Sequence, residues 1–516
     1  MNNCFNYPQY YRNEFLKYKY FDVEKAVCRY KGKSLMYAFL TRFCPVGCPF
    51  CFNRSQSPCE KRAISDQFSD KGVDNLIKFC EQANMGLLII SGGGDPFVVK
   101  DKVLKLVREA KSDRIVLVTS GFWAKNYDSA KKVIDEIYNA FKNRVNPTQL
   151  VLRISISDDH AKTLGIEPAL NVVNIFDTYY RNENNFDIQL KTFDNDNAFK
   201  MFLSNLAYTN ISACEENVSD NFIVEKICRK KQTLTLDSGK NIVVGISKIF
   251  HTSTLPDLSQ KDRLVPIIKT VDDDIFYSLR QYPATILNTD GNVGLNWSLY
   301  YNGNLCLWQS QARDTYQSIY EDDYDHVINA HFSDPLVYSF IDKGSAYRDA
   351  IINEISPKTV FRSKATALRD RLGLYLFDDE RVRLYYMIRA IQDYTKEGII
   401  PADRFLDNEE LHSIVNLSIT DLINLFKLST FDMLEQELQK PFNEVRFYDF
   451  LGMIKLQHFD LDPTRIDVAL KWYNNHTTRS CLKSIEDVKI CEDAQTYKRV
   501  GDRQASIKDG IVAYKL

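Results

Sequence analysis

The chain has 516 residues, about three times the usual domain size, so two or three domains are expected. Apolar residues make up 44% and charged residues 26%, ordinary globular usage that excludes a wholly disordered chain, a collagen and a coiled-coil rod. With 66 Lys+Arg against 68 Asp+Glu the net charge is −2, so bulk charge gives no argument for DNA or RNA as a partner.

The opening residues Met1 to Pro8 contain neither a basic n-region nor an apolar h-region, so they do not read as a signal peptide. The apolar run Gly86 to Ile90 is far too short to span a bilayer, and no later run reaches that length. A cytoplasmic protein with no membrane association is the expectation. Twelve cysteines are too few for a disulfide scaffold of this size, so clustered thiols are read as metal ligands or catalytic groups.

From residue 36 to about 250, short β-type runs alternate with longer amphipathic stretches. The β-type runs are Leu35 to Phe43, Leu87 to Ser91, Ile115 to Thr119, Leu150 to Ser157, Ile188 to Phe193 and Ile242 to Ile246. Val98 to Ala110 and Asp128 to Phe141 between them carry apolar residues at helical spacing. Alternation at roughly 30–50 residues implies βαβ units and a parallel sheet, as a partial or full barrel with its chemistry at the C-terminal strand ends. Thr233 to Leu236 and Asn241 to Val244 flank Asp237-Ser238-Gly239-Lys240 as a hairpin. A second strand-rich patch, Ala284 to Trp308, has turn signals at Asp290-Gly291 and Asn302-Gly303. Beyond about residue 360 helices dominate; one, capped by Asp378, presents Leu384, Met387, Ile388, Ile391 and Tyr394 on one face and stops at Gly398. The expected division is an N-terminal segment 1–35, a core barrel 36–250, a hairpin and linker region 251–360 and a helical domain 361–516.

The strongest feature is Phe43-Cys44-Pro45-Val46-Gly47-Cys48-Pro49-Phe50-Cys51, a C-x3-C-x2-C run directly after a strand. A Pro/Gly loop can curl three thiolates toward one point, which a straight strand cannot. A structural zinc site takes four ligands, and would have to recruit Cys59. A cubane cluster held by three thiolates keeps its fourth iron open to a small molecule.

Cys44, Cys48 and Cys51, with aromatic Phe50 before the last, resemble the signature loop of the radical SAM superfamily. Ser91-Gly92-Gly93-Gly94-Asp95-Pro96 resembles the family's Gly-Gly-Glu-Pro segment, with Asp for Glu. Val118-Thr119-Ser120-Gly121-Phe122-Trp123 is similar to its Thr-Asn-Gly strand end, and Leu152 to His160 to a strand end of some radical SAM maturases. The resemblance spans about residues 36–250, with its elements in family order. It implies a partial (β/α)6 barrel, one [4Fe–4S] cluster on Cys44, Cys48 and Cys51, and S-adenosylmethionine chelating the open iron. A one-electron donor such as flavodoxin or ferredoxin would supply the electron that splits the sulfonium, and the 5′-deoxyadenosyl radical would abstract a substrate hydrogen. The cofactor-binding positions it implies are Phe50, Gly93, Gly94, Asp95, Pro96, Ser120, Arg153, Ser155, Ser157, Gln189 and Lys191. These have a physical basis: glycines allow close backbone approach to an ammonium, and Asp95 can add a charge-assisted bond to it. Arg153, Ser155 and Ser157 alternate along one strand face, as do Gln189 and Lys191, and such polar groups in a barrel need partners. His160, past the strand end, reads as a solvated loop histidine or a substrate contact.

Tyr300 to Trp308 resembles the hairpin that opens the SPASM or twitch extension of peptide maturases, and Asp334-Pro335-Leu336 the segment after it. Cys306 nevertheless stands alone, the next cysteine being Cys481. One thiol cannot hold a cluster, so a SPASM-like extension without auxiliary iron is expected. Cys306 is then either a hydrogen-atom donor to a substrate radical or a small apolar residue of the core. Two substrate classes stay open, a peptide or protein side chain and a small molecule such as a sugar, aminocyclitol or nucleoside. A non-catalytic metal- or partner-binding protein is the third reading.

Overall fold

The computed structural model describes residues 8–48, 67–91, 93–193, 196–213, 229–247, 284–288, 290–307, 317–355, 380–426, 434, 437–442, 447–448, 450–451, 463–477, 481–488, 505–508 and 511–514. Strands β1 (Ser34–Phe39), β2 (Met85–Ser91), β3 (Arg114–Thr119), β4 (Gln149–Ser155) and β5 (Phe186–Phe193) occupy the first five β-type runs. β6 (Tyr208–Ala213) precedes the hairpin β7 (Arg229–Leu236) and β8 (Asn241–Ser247), and then come β9 (Thr285–Leu287), β10 (Val293–Leu299), β11 (Asn304–Leu307) and β12 (Gln317–Ser318). They form one sheet in the order β12-β11-β10-β1-β2-β3-β4-β5-β8-β7-β6, with β9 paired to β10. β1 to β5 and β8 run parallel, the six strands of the expected partial barrel. β10 adds a further parallel strand on the outer edge of β1, in register Leu35↔Asn296 to Ala38↔Leu299. The second strand-rich patch therefore continues the barrel's own sheet.

The helices form because their apolar residues recur at i, i+3, i+4 behind good caps. Ser69 accepts a hydrogen bond from Gly72 N at the start of Asp70–Gln82, which buries Val73, Leu76, Phe79 and Cys80. Asn126 does the same for Ser129 N at the start of Tyr127–Lys142, which buries Ile134 and Ile137. Between them, Lys100–Glu109 buries Val103, Leu106 and Val107. These helices cover the outer face of the sheet, where Leu88, Ile90, Ile115, Leu117, Leu150, Leu152 and Ile154 are fully buried.

The inner face is layered. Leu35, Leu87, Ile89, Val116 and Val151 form a separate apolar cluster, with Tyr37 and Val118 against it. One layer further toward the C-terminal strand ends the register aligns Phe39, Ser91, Val118, Arg153 and Gln189, and beyond them Ser155 pairs with Lys191. The lumen thus turns from apolar to polar toward its C-terminal mouth, and a polar layer inside a barrel needs partners.

The N-terminal helix Pro8–Phe15 packs on the C-terminal helices: Arg12 forms a buried ion pair with Asp334, and the Tyr11 hydroxyl donates to Glu410 at 2.5 Å. The helix predicted over Asp378 to Gly398 runs Glu380–Lys396, and Gly398 ends it at φ +72°. Its expected single apolar face is exceeded, because Tyr385, Tyr386 and Ala390 are buried together with Leu384, Met387, Ile388, Ile391 and Tyr394. A helix buried all round lies in the middle of a core, here between Pro335–Ile355 and the N-terminal helix. The predicted cap Asp378 lies outside the described residues. A second, smaller core gathers Leu434, Phe447, Leu451, Leu470 and Tyr473.

Candidate active site

The cysteine loop leaves β1 and is held from below by the glycine turn after β2. Phe43 N donates to Thr41 Oγ1 at 3.1 Å, and the Phe43 carbonyl accepts from Asp95 N at 2.7 Å. The turn comes so close that a Cβ on Gly94 would sit 1.8 Å from the Phe43 carbonyl oxygen, and one on Gly93 2.7 Å from that of Thr41. Glycine is required at Gly94 by this backbone-to-backbone approach, which fixes the residue immediately before Cys44. Gly47 adopts φ +63°, the left-handed bend that turns the loop between Cys44 and Cys48. Cys51, Phe50 and Gly92 lie outside the described residues.

Asp95 has an intramolecular role that the sequence did not reveal. Its carboxylate is 3% exposed and accepts from Phe97 N at 3.0 Å, Thr119 Oγ1 at 2.9 Å, Ser120 N at 2.7 Å and Ser120 Oγ at 2.6 Å. Those donors use the lone pairs that an ammonium would need, and they bind the end of β2 to the end of β3. Burial pushes its pKa above the usual carboxylate range, against the opposing effect of these hydrogen bonds. Ser120, expected as a cofactor contact, gives its hydroxyl to Asp95, and Pro96 opens the 3-10 turn Pro96–Val99 with Asp95 as its cap.

Arg153 and Gln189 meet across β4 and β5: Arg153 Nε and Nη2 both donate to Gln189 Oε1, at 3.1 and 3.0 Å. Ser155 and Lys191 lie one step nearer the mouth on the same register. Ser157 departs from the expected strand face. β4 ends at Ser155, and the buried Ser157 caps the helix Asp158–Leu164, its Oγ accepting from His160 N at 3.3 Å. His160 is not a solvated loop residue. It stands in the first turn of that helix, with Nδ1 2.7 Å from Ser157 Oγ and Nδ1 and Nε2 4.0 and 3.9 Å from Cys48 Sγ. Burial, reinforced by the positive charge of Lys191, pushes its pKa down to about 4, so the ring is neutral at pH 7.

Cys306 lies on β11 opposite Ser298 of β10, which is in register with Tyr37 of β1. It therefore belongs to a row of the inner face, fully buried, its Sγ 3.9 Å from the Ser298 carbonyl. Burial raises its pKa well above the ordinary thiol range, which keeps it as S–H. The turn from β10 to β11 borders the cysteine loop: the rings of Phe39 and Tyr300 are 5.4 Å apart, and the Arg42 guanidinium lies 5.6 Å from the Tyr301 ring centre.

Residues 39–163 match the model of the Radical SAM superfamily. The chain carries a radical SAM domain. That match begins at the end of β1 and closes in the helix of His160, so it takes in the cysteine loop, the glycine turn and the Asp95–Ser120 bridge. No curated protein matches the chain. A solved structure of histidine-tagged anSMEcpe with bound AdoMet is similar to it at 12% identity and a TM-score of 0.32, over 76% of this chain and 98% of that one. A radical SAM domain makes the protein an enzyme, and the cofactors the family implies are a [4Fe–4S] cluster and S-adenosylmethionine. Among the described residues the donor chemistry fits: Cys44 and Cys48 flank the left-handed bend at Gly47, and thiols are the soft ligands such a cluster takes. Radical SAM enzymes need a one-electron reductant. No helix among the described residues is long and apolar enough to cross a membrane.

Proposed function

We propose that this radical SAM enzyme modifies a side chain of a peptide or protein, taking its electron from a flavodoxin or ferredoxin. The observation that carries the reading is the extension of the barrel sheet at β1. The strand whose end bears the cysteine loop is also the strand to which β10, β11 and β12 are added, and the Tyr300–Tyr301 turn walls the mouth beside Arg42. A substrate longer than a metabolite can lie along that wall and still present one side chain to the lumen. Cys44, Cys48 and Cys51 would hold the cluster, and Arg153, Gln189, Ser155 and Lys191 would line the space for cofactor and substrate. When bound, cluster and cofactor together supply a carbon-centred radical able to abstract a substrate hydrogen.

The single row containing Cys306, Ser298 and Tyr37 supports a role for Cys306 as hydrogen donor, because burial keeps the thiol protonated. The S–H hydrogen would pass to the substrate carbon radical, and the reductant would restore the thiol with one electron and a proton. The second reading, a sugar, aminocyclitol or nucleoside substrate, is favoured by the sequence after Cys306, which has no cysteine before Cys481 and so no paired ligands for a further cluster.

One experiment separates these. The reconstituted enzyme is given S-adenosylmethionine, a reductant and, in parallel, short peptides from neighbouring reading frames and a panel of sugars and nucleosides. The proposal expects a mass or stereochemical change in a peptide only, with solvent deuterium incorporated. Cys306→Ala should still form 5′-deoxyadenosine yet lose that deuterium. Turnover of a sugar or nucleoside with no peptide change contradicts the proposal, and wild-type product from Cys306→Ala removes the donor role.

A further inference from the structure

The cysteine loop leaves the barrel and returns to it through a stem whose two limbs are paired. Phe68 N donates to the Leu40 carbonyl at 2.8 Å, and Thr41 and Gln67 form an antiparallel bridge. The returning limb, Gln67 to Ser69, meets a residue distant in sequence, Tyr320, two positions after β12. The Tyr320 hydroxyl accepts from Ser69 N at 3.2 Å, and its ring centre stands 5.5 Å from that of the fully buried Phe68. The same hydroxyl donates its one proton to the Tyr301 carbonyl at 3.4 Å, in the turn between β10 and β11. Tyr301 in turn has Arg42 of the outgoing limb against its ring. The two limbs of the stem are thus held by two tyrosines that are themselves joined.

The Tyr320 ring fits there only because glycine stands at both its edges. A Cβ on Gly72 would lie 2.4 Å from Cε1, and one on Gly303 would lie 2.3 Å from Cε2. One glycine belongs to helix Asp70–Gln82, the other to the β10–β11 turn. The backbone before the ring is fixed to the same two elements: Ile319 N donates to the Gly303 carbonyl at 3.0 Å, and the Ile319 carbonyl accepts from Asn75 Nδ2 at 2.7 Å.

We propose that Tyr320 is a positioning residue for the iron–sulfur centre, clasping the stem of the cysteine loop to the strands added beside β1. Tyr320 lies outside residues 39–163, so the extension supports a centre whose ligands belong to the barrel. It acts through the limb at Ser69 and touches no ligand itself. The inference rests on the cysteine loop holding a cluster, as proposed above.

The test is the rate at which the reconstituted enzyme gives up iron to a chelator, with the denaturation midpoint of the apoprotein measured beside it. Tyr320→Phe keeps the ring between the two glycines and removes only the hydroxyl. Supports beyond the ligands of a metal site are typically worth tenfold or more, so iron should leave about tenfold faster. The Ser69 amide should exchange faster with heavy water, and the midpoint should stay close to the wild type. Gly72→Ala is the second variant. It favours the helix, since alanine is the better helix former, yet it displaces the ring, so faster iron release there has no origin in a weakened helix. Iron release from Tyr320→Phe within twofold of the wild type, or unchanged exchange at Ser69, overturns the inference and leaves the cluster assignment intact. A Tyr320→Phe midpoint lowered as far as that of Tyr320→Ala marks the residue as core packing and also overturns it. Wild-type protein that takes up no cluster overturns the cluster assignment, and this inference with it.

Discussion

Asp95 is the residue whose role differs most from what its motif suggests. Four donors from Phe97, Thr119 and Ser120 converge on a buried carboxylate, so its work is done within the protein. Removing it leaves those donors buried without an acceptor, at a cost of about 3 kcal/mol. Asp95→Ala should therefore lower the unfolding free energy of the apoprotein by that amount, measured by denaturant titration before any cluster is added. A variant with wild-type apoprotein stability and weakened S-adenosylmethionine affinity would return Asp95 to direct ligand contact. The same residue indicates the limit of a sequence reading. Asp after three glycines says that a carboxylate lies at a strand end, but not which of two donor sets satisfies it, because Thr119 and Ser120 come from another strand. Ser157 is a similar case: a serine in alternation with Arg153 and Ser155 looks like a strand residue, yet serine is equally the residue that begins a helix.

At the scale of elements, the contact between the glycine turn and the cysteine loop sets where the first thiol stands. A methyl group at Gly94 would meet the Phe43 carbonyl oxygen at 1.8 Å, backbone against backbone, so no rotamer change relieves it. Gly94→Ala should destabilise the apoprotein by about 1–3 kcal/mol. It should also lower iron content after reconstitution, because Phe43 precedes Cys44. Wild-type iron content in Gly94→Ala would show that the loop positions its thiols independently of the turn. The parallel strands were legible because buried strands read as short apolar runs: Ile115 to Thr119 was expected where β3 spans Arg114–Thr119. The pairing of β10 with β1 was not legible. It joins Leu35 to Asn296, and hydrophobic period says nothing about which distant strand a run will join. The approach of His160 to Cys48 was hidden for the same reason.

On the scale of the whole molecule, the N-terminal helix is tied to the C-terminal half through Arg12 and Asp334, a buried ion pair whose guanidinium Nη1 also lies 3.2 Å from Asp334 Oδ1. Breaking such a pair leaves an uncompensated buried charge, at about 3–5 kcal/mol, whereas replacing both members with apolar residues is close to neutral. Arg12→Met alone should shift the denaturation midpoint strongly, and Arg12→Met with Asp334→Leu should recover most of the loss. Equal destabilisation in the single and double variants would show that hydrogen bonding elsewhere, not the lone charge, sets the cost. The helical region was legible as helices, but not as the seat of the N-terminal helix, since composition near residue 12 gives no sign of what its arginine will meet.

Every functional reading above depends on Cys44, Cys48 and Cys51 holding the iron–sulfur centre of a radical SAM enzyme. Anaerobic reconstitution with iron and sulfide, followed by reduction in the presence of S-adenosylmethionine, tests this most directly. The expected result is about one [4Fe–4S] cluster per chain, by the count of three thiolates, and release of 5′-deoxyadenosine. Alanine at the three cysteines together should abolish both. A stoichiometric zinc ion in place of iron, with no cleavage of S-adenosylmethionine, would contradict it.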